Sequence, residues 1–338
     1  MLSSDTIQLI KRLEIVTGRI VRDQLAGSYH SVFRGRGMDF DEVKPYSMGD
    51  DVRFIDWIVS ARTGELHIKR FVEERELTVL IAVDVSPSMA FGTWSARKQQ
   101  VAAQIAMAIA LTAVQNKDRV GLVVFSDRVH RYIPPKKGRK HVLRIVSELL
   151  SYERGASTEP ATAEEAPARS WWGGLLGRRT PRPRPPEREW QTDIGSALQF
   201  VGRISRRRAV VFLLSDFVAP PFERDLRIAS QRHDVVPLVL RDANELGFGD
   251  LGGMLVLTDL ESGRERVHDP RAGDAAHRAE AVRQLEETEQ TFRRLRLDAA
   301  RIVLGDRAGR LDEASLTEEQ LTYVEPLVEL FRRRARRH

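Results

Sequence analysis

Asp84-Val85-Ser86-Pro87-Ser88 sets one carboxylate and two hydroxyls at two-residue intervals, directly after the apolar run 77–83. On a tight loop that spacing lets all three side chains aim their oxygens at one point. Oxygen donors without His or Cys suit a hard cation such as Mg2+, or Mn2+ or Ca2+ in its place. Two further segments can add to the set. Residues 191–198 open a helix with Thr192 or Asp193 as its natural cap, and Thr192 can instead turn its hydroxyl to a cation. Ser215-Asp216-Phe217 follows the apolar run 209–214 as Asp84 follows its own, which brings a second carboxylate. Two carboxylates about 4 Å apart repel by roughly 4 kcal/mol at an effective dielectric of about 20, and a bound divalent cation reverses that sign.

Such groups need a scaffold that delivers several loops to one edge. The run 77–83 is apolar on both faces, as a strand buried within a parallel sheet must be. In open α/β sheets, ligands bind beyond the carboxyl ends of the strands. Along the chain, residues 5–25 carry a helical stripe of Leu9, Leu13, Val16 and Ile20, and residues 35–71 are turn-rich with short extended pieces. Residues 96–114 read as a helix apolar nearly all round, hence buried. Strands are predicted over 119–125, 129–133, 209–214 and 235–240, with helices over 140–150 and 222–231 and a last strand over 254–257. The alternation predicts an α/β fold: a doubly wound, mostly parallel sheet of Rossmann type with helices on both faces, plus a small N-terminal β-containing module. The predicted boundaries are 1–76 for the first helix and module, 77–305 for the sheet domain, and 306–338 for a docking helix with a basic tail. Tyr323, Val324, Leu327, Val328 and Phe331 form the apolar face of that helix, and Arg332 to Arg337 its basic end.

Composition narrows the function classes. With 338 residues and 42% apolar content the chain can bury one large core and a smaller one. It has no cysteine, which removes disulfides, thiolate metal sites and Cys nucleophiles and fits a reducing compartment. Lys11 and Arg12 interrupt the first apolar stretch, and residues 101–114, which include Gln104, are too short to cross a bilayer. A cytoplasmic protein is expected. The net charge of +6 is spread over 30% charged residues of both signs and reads as a solvated surface. Residues 156–189 hold Pro160, Pro167, Pro181, Pro183, Pro185 and Pro186 and are expected to be a disordered surface loop, within which Trp171, Trp172, Leu175 and Leu176 form an apolar knot that can cover the metal position. No phosphate-loop or HExxH pattern is present, and the eight histidines are assigned to neither metal nor catalysis. Asp50, Asp51 and Asp56, near Arg53, Arg62, Lys69 and Arg70, read as ion pairs and turn caps, and Trp57 as a core residue of the module.

Taken together, Asp84-x-Ser86-x-Ser88, Thr192 and Asp216 resemble the metal-ion-dependent adhesion site of von Willebrand factor A domains. The resemblance implies that Ser86, Ser88 and Thr192 touch the metal directly, that Asp84 and Asp216 act wholly or partly through water, and that one position stays open for a partner's carboxylate. Upstream, Gly35-Arg36-Gly37-Met38-Asp39-Phe40, Tyr46-Ser47-Met48-Gly49-Asp50-Asp51-Val52-Arg53-Phe54-Ile55-Asp56-Trp57 and Phe71-Val72-Glu73-Glu74-Arg75-Glu76-Leu77 are similar to the signature of the bacterial domain of unknown function 58 (DUF58) family. That likeness spans nearly the whole chain, with the Pro-rich stretch as its clearest departure. It implies a MoxR-type AAA+ ATPase as partner and a part in the assembly or metal insertion of other proteins. Many members carry two membrane helices at the front, which this sequence does not show. The leading expectation is therefore a non-enzymatic, Mg2+-dependent protein–protein interaction module with a protein ligand that supplies an acidic residue, no nucleic acid and no membrane span. One alternative is an Mg2+-dependent phosphohydrolase with Asp84 as nucleophile, which would want a second Asp where Ser86 stands and a phosphate-clamping Lys. The other is a nucleic-acid binder using the Arg-rich stretch and tail, for which a reading helix or aromatic platform of known type is lacking.

Overall fold

The computed structural model describes residue 29 and residues 39–72, 76–92, 97–153, 192–246, 254–258, 265–305 and 323–336. The helical stripe of residues 5–25 and the Pro-rich stretch 156–189 lie outside these. In the small module, β1 (Asp39–Pro45) and β2 (His67–Val72) pair antiparallel. Between them α1 (Trp57–Thr63) starts where Asp56 Oδ1 accepts the N–H groups of Ile58 and Val59 at 3.0 and 3.2 Å, and ends at Gly64 with a left-handed φ of 79°. Asp50 pairs with Lys44 at 3.0 Å, Asp51 with Arg53 at 2.7 Å and Asp56 with Lys69 at 3.6 Å, so the acidic cluster serves as caps and ion pairs. Trp57 corrects the sequence reading. It is 68% exposed, and Met48, Val52 and Ile58 also face outward. A two-stranded ribbon with one two-turn helix offers a single inner face, and on α1 the buried residue is Ser60.

The branched apolar runs form the strands of the main body, and the segments between them form its helices. In chain order these are β3 (Thr78–Asp84), α2 (Lys98–Gln115), β4 (Arg119–Phe125), β5 (Val129–Lys136), α3 (Arg139–Glu153), α4 (Ile194–Ile204), β6 (Val210–Ser215), α5 (Glu223–Arg232) and β7 (Asp234–Asp242). They are followed by β8 (Leu255–Thr258), β9 (Glu265–His268), α6 (Pro270–Arg294), β10 (Ala300–Leu304) and α7 (Val324–Ala335). A six-stranded sheet runs in the order β10-β7-β6-β3-β4-β5, parallel throughout except at β5, which is antiparallel to β4 on the edge. Because side chains alternate along a strand, Val79, Ile81 and Val83 face a layer of α2, α3 and α7, whereas Leu80 and Ala82 face a layer of α4, α5 and α6. The doubly wound sheet expected from the alternating pattern is what forms.

α2 is apolar nearly all round because most of its residues are buried. Ala102, Ala106, Ala108, Ala110 and Ala113 are buried along it, and their short side chains let the helix lie close to the sheet. It stops at Asn116 and Lys117, whose φ of 62° is left-handed, and Asp118 N–H then bonds back to the Ala113 carbonyl at 2.9 Å. The Asp118 carboxylate accepts Leu77 N–H at 2.9 Å and the Tyr29 hydroxyl at 3.0 Å, which fixes the amino end of β3. From β3 the chain proceeds to β4 on one side, and it later returns to β6 on the other. The connections diverge there, so the carboxyl end of β3 borders the crevice that open α/β sheets use for ligands.

Two elements differ from expectation. Residues 254–257 were predicted to be a strand of the main sheet, but β8 pairs antiparallel with β9 in a separate ribbon, on which Val256 and Val267 are exposed. The sheet is closed instead by β10, whose alternating burial reflects an edge position, after the long and largely polar α6. Within α7, Leu327, Leu330 and Phe331 are buried in the core, and Arg334, read from sequence as part of a basic tail, is buried too, paired with Asp234 and lying 3.8 Å from Asp298. No described helix is long and apolar enough to cross a membrane.

Gly121 lies in the β4–β5 pair where the register shifts between Val120 and Leu122. A Cβ at this position would stand 2.9 Å from the Ile133 carbonyl oxygen and 2.9 Å from Leu80 Cδ2. Gly121→Ala should therefore lower unfolding stability by about 1–3 kcal/mol through overpacking, measured as a lower denaturant midpoint. An unchanged midpoint would contradict this packing.

Candidate metal centre

Strand register brings the sequence-identified residues to one rim. Asp84 is the last residue of β3 and lies opposite Phe125 of β4, while on the other side Val83 lies opposite Leu214 of β6. Ser215 is thereby abreast of Asp84, and Asp216 stands one residue beyond. Val85 N–H donates to the Phe125 carbonyl at 2.8 Å, continuing the β3–β4 ladder past the strand end. The chain then turns: Pro87 fixes its own φ at the start of a 3-10 turn over Pro87–Ala90, and Met89 N–H closes on the Ser86 carbonyl at 3.0 Å. Ser86 makes no side-chain cap, and its hydroxyl instead lies 3.0 Å from that of Ser88. Thr192 arrives by a separate tie. Asp193 N–H donates to the Ser126 carbonyl at 2.7 Å, just after β4, and Asp193 Oδ1 caps α4 by accepting Ser196 N–H at 2.8 Å. Asp193 is thus the cap, which resolves the choice left open between it and Thr192. Asp84, Ser86, Thr192 and Asp216 are all buried, and Ser88 is half-buried.

The two carboxylates meet different partners. Asp84 Oδ1 accepts Ser86 N–H at 2.8 Å, and Oδ2 accepts the Ser215 hydroxyl at 2.6 Å; both donors are neutral. Asp216 Oδ2 instead faces the Lys98 ammonium at 2.8 Å, while Oδ1 accepts Val218 N–H at 3.1 Å. The turn that presents Asp216 is held in an uncommon shape: Phe217 has a φ of 58°, its N–H bonds to Ser215 Oγ at 3.0 Å, and its ring packs edge-on against Phe292 at 5.1 Å. Burial, reinforced by the charge of Asp216, pushes the Asp84 carboxyl up to about 7 despite the Ser215 and Ser86 hydrogen bonds. For Asp216, burial pulls upward as well, but Lys98 and then Arg241 outweigh it and hold the carboxyl below its ordinary value.

Lys98 also bonds Glu245, whose other oxygen accepts Asp242 N–H at 3.1 Å. Burial disfavours the ammonium, yet Asp216 and Glu245 together raise its pKa. Sequence reading missed Lys98, Glu245 and the hydroxyl of Ser215. A signal existed for the first: a single Lys at the head of an otherwise uncharged helix sets a positive charge against the helix dipole and implies a buried anionic partner. This Lys is also the kind of residue found wanting for a phosphohydrolase, but its ammonium is engaged by two carboxylates.

The donor set fits a hard cation. Among the described residues no group of three or more His, Asp or Glu is arranged to hold a metal ion, so any cation here would rely on hydroxyls supported by carboxylates. Ser86 Oγ and Ser88 Oγ share a hydrogen bond at 3.0 Å, a separation that neighbouring corners of an octahedral shell also have. In such a shell, metal–oxygen distances of about 2.1 Å place adjacent oxygens about 3 Å apart. Ser86 and Ser88 offer neighbouring hydroxyls to such an ion, Thr192 is buried just before α4, and Asp84 supplies negative charge that no described cationic side chain neutralises by hydrogen bond.

Comparison with known proteins agrees with the sequence motifs of residues 35–77. The chain matches the family described as "Protein of unknown function DUF58" over residues 42–291. An uncharacterized protein of Mycobacterium tuberculosis is 30% identical over 283 residues, covering 81% of this chain and 79% of its own. Among solved structures, the VWA domain of SpRpn10 is similar at 14% identity and a TM-score of 0.27, covering 49% of this chain and 75% of its own. An uncharacterized membrane spanning protein from Vibrio fischeri is similar at 16% identity and a TM-score of 0.21, covering 65% and 99%. The fold described above rests on its own sheet topology.

The Asp84 carboxyl has a definite pH signature. Its folded pKa of about 7 lies above the ordinary 3.8, so the native state keeps a proton that the unfolded chain releases. By linkage, this group lowers stability progressively as pH rises from about 4 to about 7 and adds no further change above that. In chelator, Asp84→Asn should melt higher than wild type at pH 8 and should show a flatter stability profile between pH 4 and 7. Parallel profiles for the two proteins would refute this account of Asp84.

Proposed function

This chain belongs to the DUF58 family, and on that premise we propose that it is a Mg2+-dependent protein-interaction module of the cytoplasm with no catalytic activity of its own. In this reading Ser86, Ser88 and Thr192 ligate the cation, Asp84 and Asp216 act on it wholly or partly through water, and one position is left for an Asp or Glu of a protein partner. When bound, the ion supplies a localised double positive charge that such a carboxylate completes. The observation that carries the proposal is the buried Asp84 carboxylate, held by Ser86 N–H and Ser215 Oγ–H, next to two hydroxyls at octahedral spacing. A carboxylate so placed is costly until a cation offsets it, which couples ion binding to the order of the rim.

The phosphohydrolase reading has less support. A nucleophilic carboxylate must turn an oxygen toward substrate, but both oxygens of Asp84 take hydrogen bonds within the protein and the side chain is 0% exposed. The proposed partner class, a MoxR-type AAA+ ATPase acting with this chain on the assembly or maturation of a client protein, comes from the likeness of residues 35–77 to the family signature.

Melting tests the ion first. Mg2+ at about 100 times its dissociation constant should add about 2.7 kcal/mol to stability, and Asp84→Ala should abolish the shift. Capture of partners on wild-type protein, with Mg2+ or with chelator, then tests the module: a MoxR-type ATPase or client should be retained only with Mg2+ and only by wild type. Retention that persists in chelator and collapses with salt would point instead to nucleic acid. Absence of any Mg2+-induced shift would refute the metal reading.

A further inference from the structure

We infer that Lys98 is a positioning residue that sets the ion preference of this rim, by keeping Asp216 out of direct contact with a bound cation; the inference rests on the metal reading above. Lys98 reaches the rim from the first turn of α2 and is 1% exposed at its side chain. Its ammonium lies 2.8 Å from Asp216 Oδ2 and bonds Glu245 as well. Asp216 follows β6, whereas Glu245 lies in the 3-10 turn Ala243–Leu246 after β7, so one side chain joins three separate connections. Glu245 is anchored in turn by Asp242 N–H at 3.1 Å and has Arg241 at 4.0 Å. With Oδ1 bonded to Val218 N–H at 3.1 Å, both oxygens of Asp216 are occupied by the protein. Asp84, one residue short of it along the rim, is bonded by neutral donors alone.

This asymmetry bears on which cation the rim prefers. Mg2+ demands a compact octahedral shell, keeps several waters and tolerates carboxylates that act through them. Ca2+ takes more oxygens at longer distances and gains from direct carboxylate ligands. An internal ammonium that holds Asp216 removes one anionic ligand, which disfavours Ca2+ more than Mg2+, while its positive charge weighs on both dications alike. Freed of Lys98, Asp216 loses the ammonium at Oδ2 and keeps the Val218 N–H bond at Oδ1.

The test is the ratio of Ca2+ to Mg2+ affinity, measured on the full chain by calorimetric titration and by melting in each ion. Lys98→Met should melt lower than wild type in chelator, because Asp216 and Glu245 lose their shared cation. Its Ca2+/Mg2+ affinity ratio should rise, by about tenfold if direct ligation by the carboxylate adds about 1.4 kcal/mol to Ca2+ binding alone. A role limited to packing would lower stability and leave the ratio where it was, and that result would overturn the inference. Should Lys98→Met fail to fold in chelator, Glu245→Gln decides. It leaves the ammonium to Asp216 alone and should lower the ratio, whereas an unchanged or higher ratio overturns the inference. A wild-type protein that responds to neither ion would remove the metal reading itself, a separate outcome.

Discussion

Asp84 stands opposite Phe125, Val83 opposite Leu214, and side chains along a strand alternate between faces. A slip of β3 by one residue against either neighbour would turn Asp84 to the other face and separate its carboxylate from Ser215. The parallel register of β3 between β4 and β6 is thus the constraint on which the rim depends. It is enforced by apolar side chains buried on both faces of all three strands, and at the amino end by the Asp118 carboxylate that holds Leu77 N–H. The chemistry at one edge is set by packing that contains no chemistry of its own.

Given that register, the rim solves an electrostatic problem in two ways. One buried carboxylate, Asp216, is matched by an ammonium and a backbone N–H; the other, Asp84, receives only neutral hydrogen bonds. Burial acts on both, yet it prevails only at Asp84. An unmatched buried carboxylate costs native stability, and such a cost persists where a site has a use for the charge. The left-handed Phe217 beside it is strain of the same kind, held in place by the aromatic packing of its ring.

Much of this was legible from residue types. Continuous apolar runs located β3, β4, β6 and β7, because a strand buried on both faces cannot alternate. The carboxylates and hydroxyls were legible for the converse reason: polar residues that end such runs have one place to go. The misses have physical causes. β10 alternates in burial and carries Arg301 and Val303 outward, so it lacks the unbroken apolar signature, while residues 254–257 carry that signature and pair elsewhere. Trp57 was assigned inward on hydrophobicity alone, although a module with one inner face has no room for every large side chain. Glu245 and Lys98 are far apart in sequence, and their meeting depends on how α2 and β7 lie against β3, which local pattern does not encode.

The alanines of α2 carry a consequence for the rim above them. Alanine has no rotatable side-chain torsion, so Ala102, Ala106, Ala108, Ala110 and Ala113 are buried without losing rotamer entropy. Lys98, a long and intrinsically flexible side chain, is therefore mounted on a helix whose buried alanines have no side-chain rotamers to lose, and the rotamer freedom given up at the rim is its own.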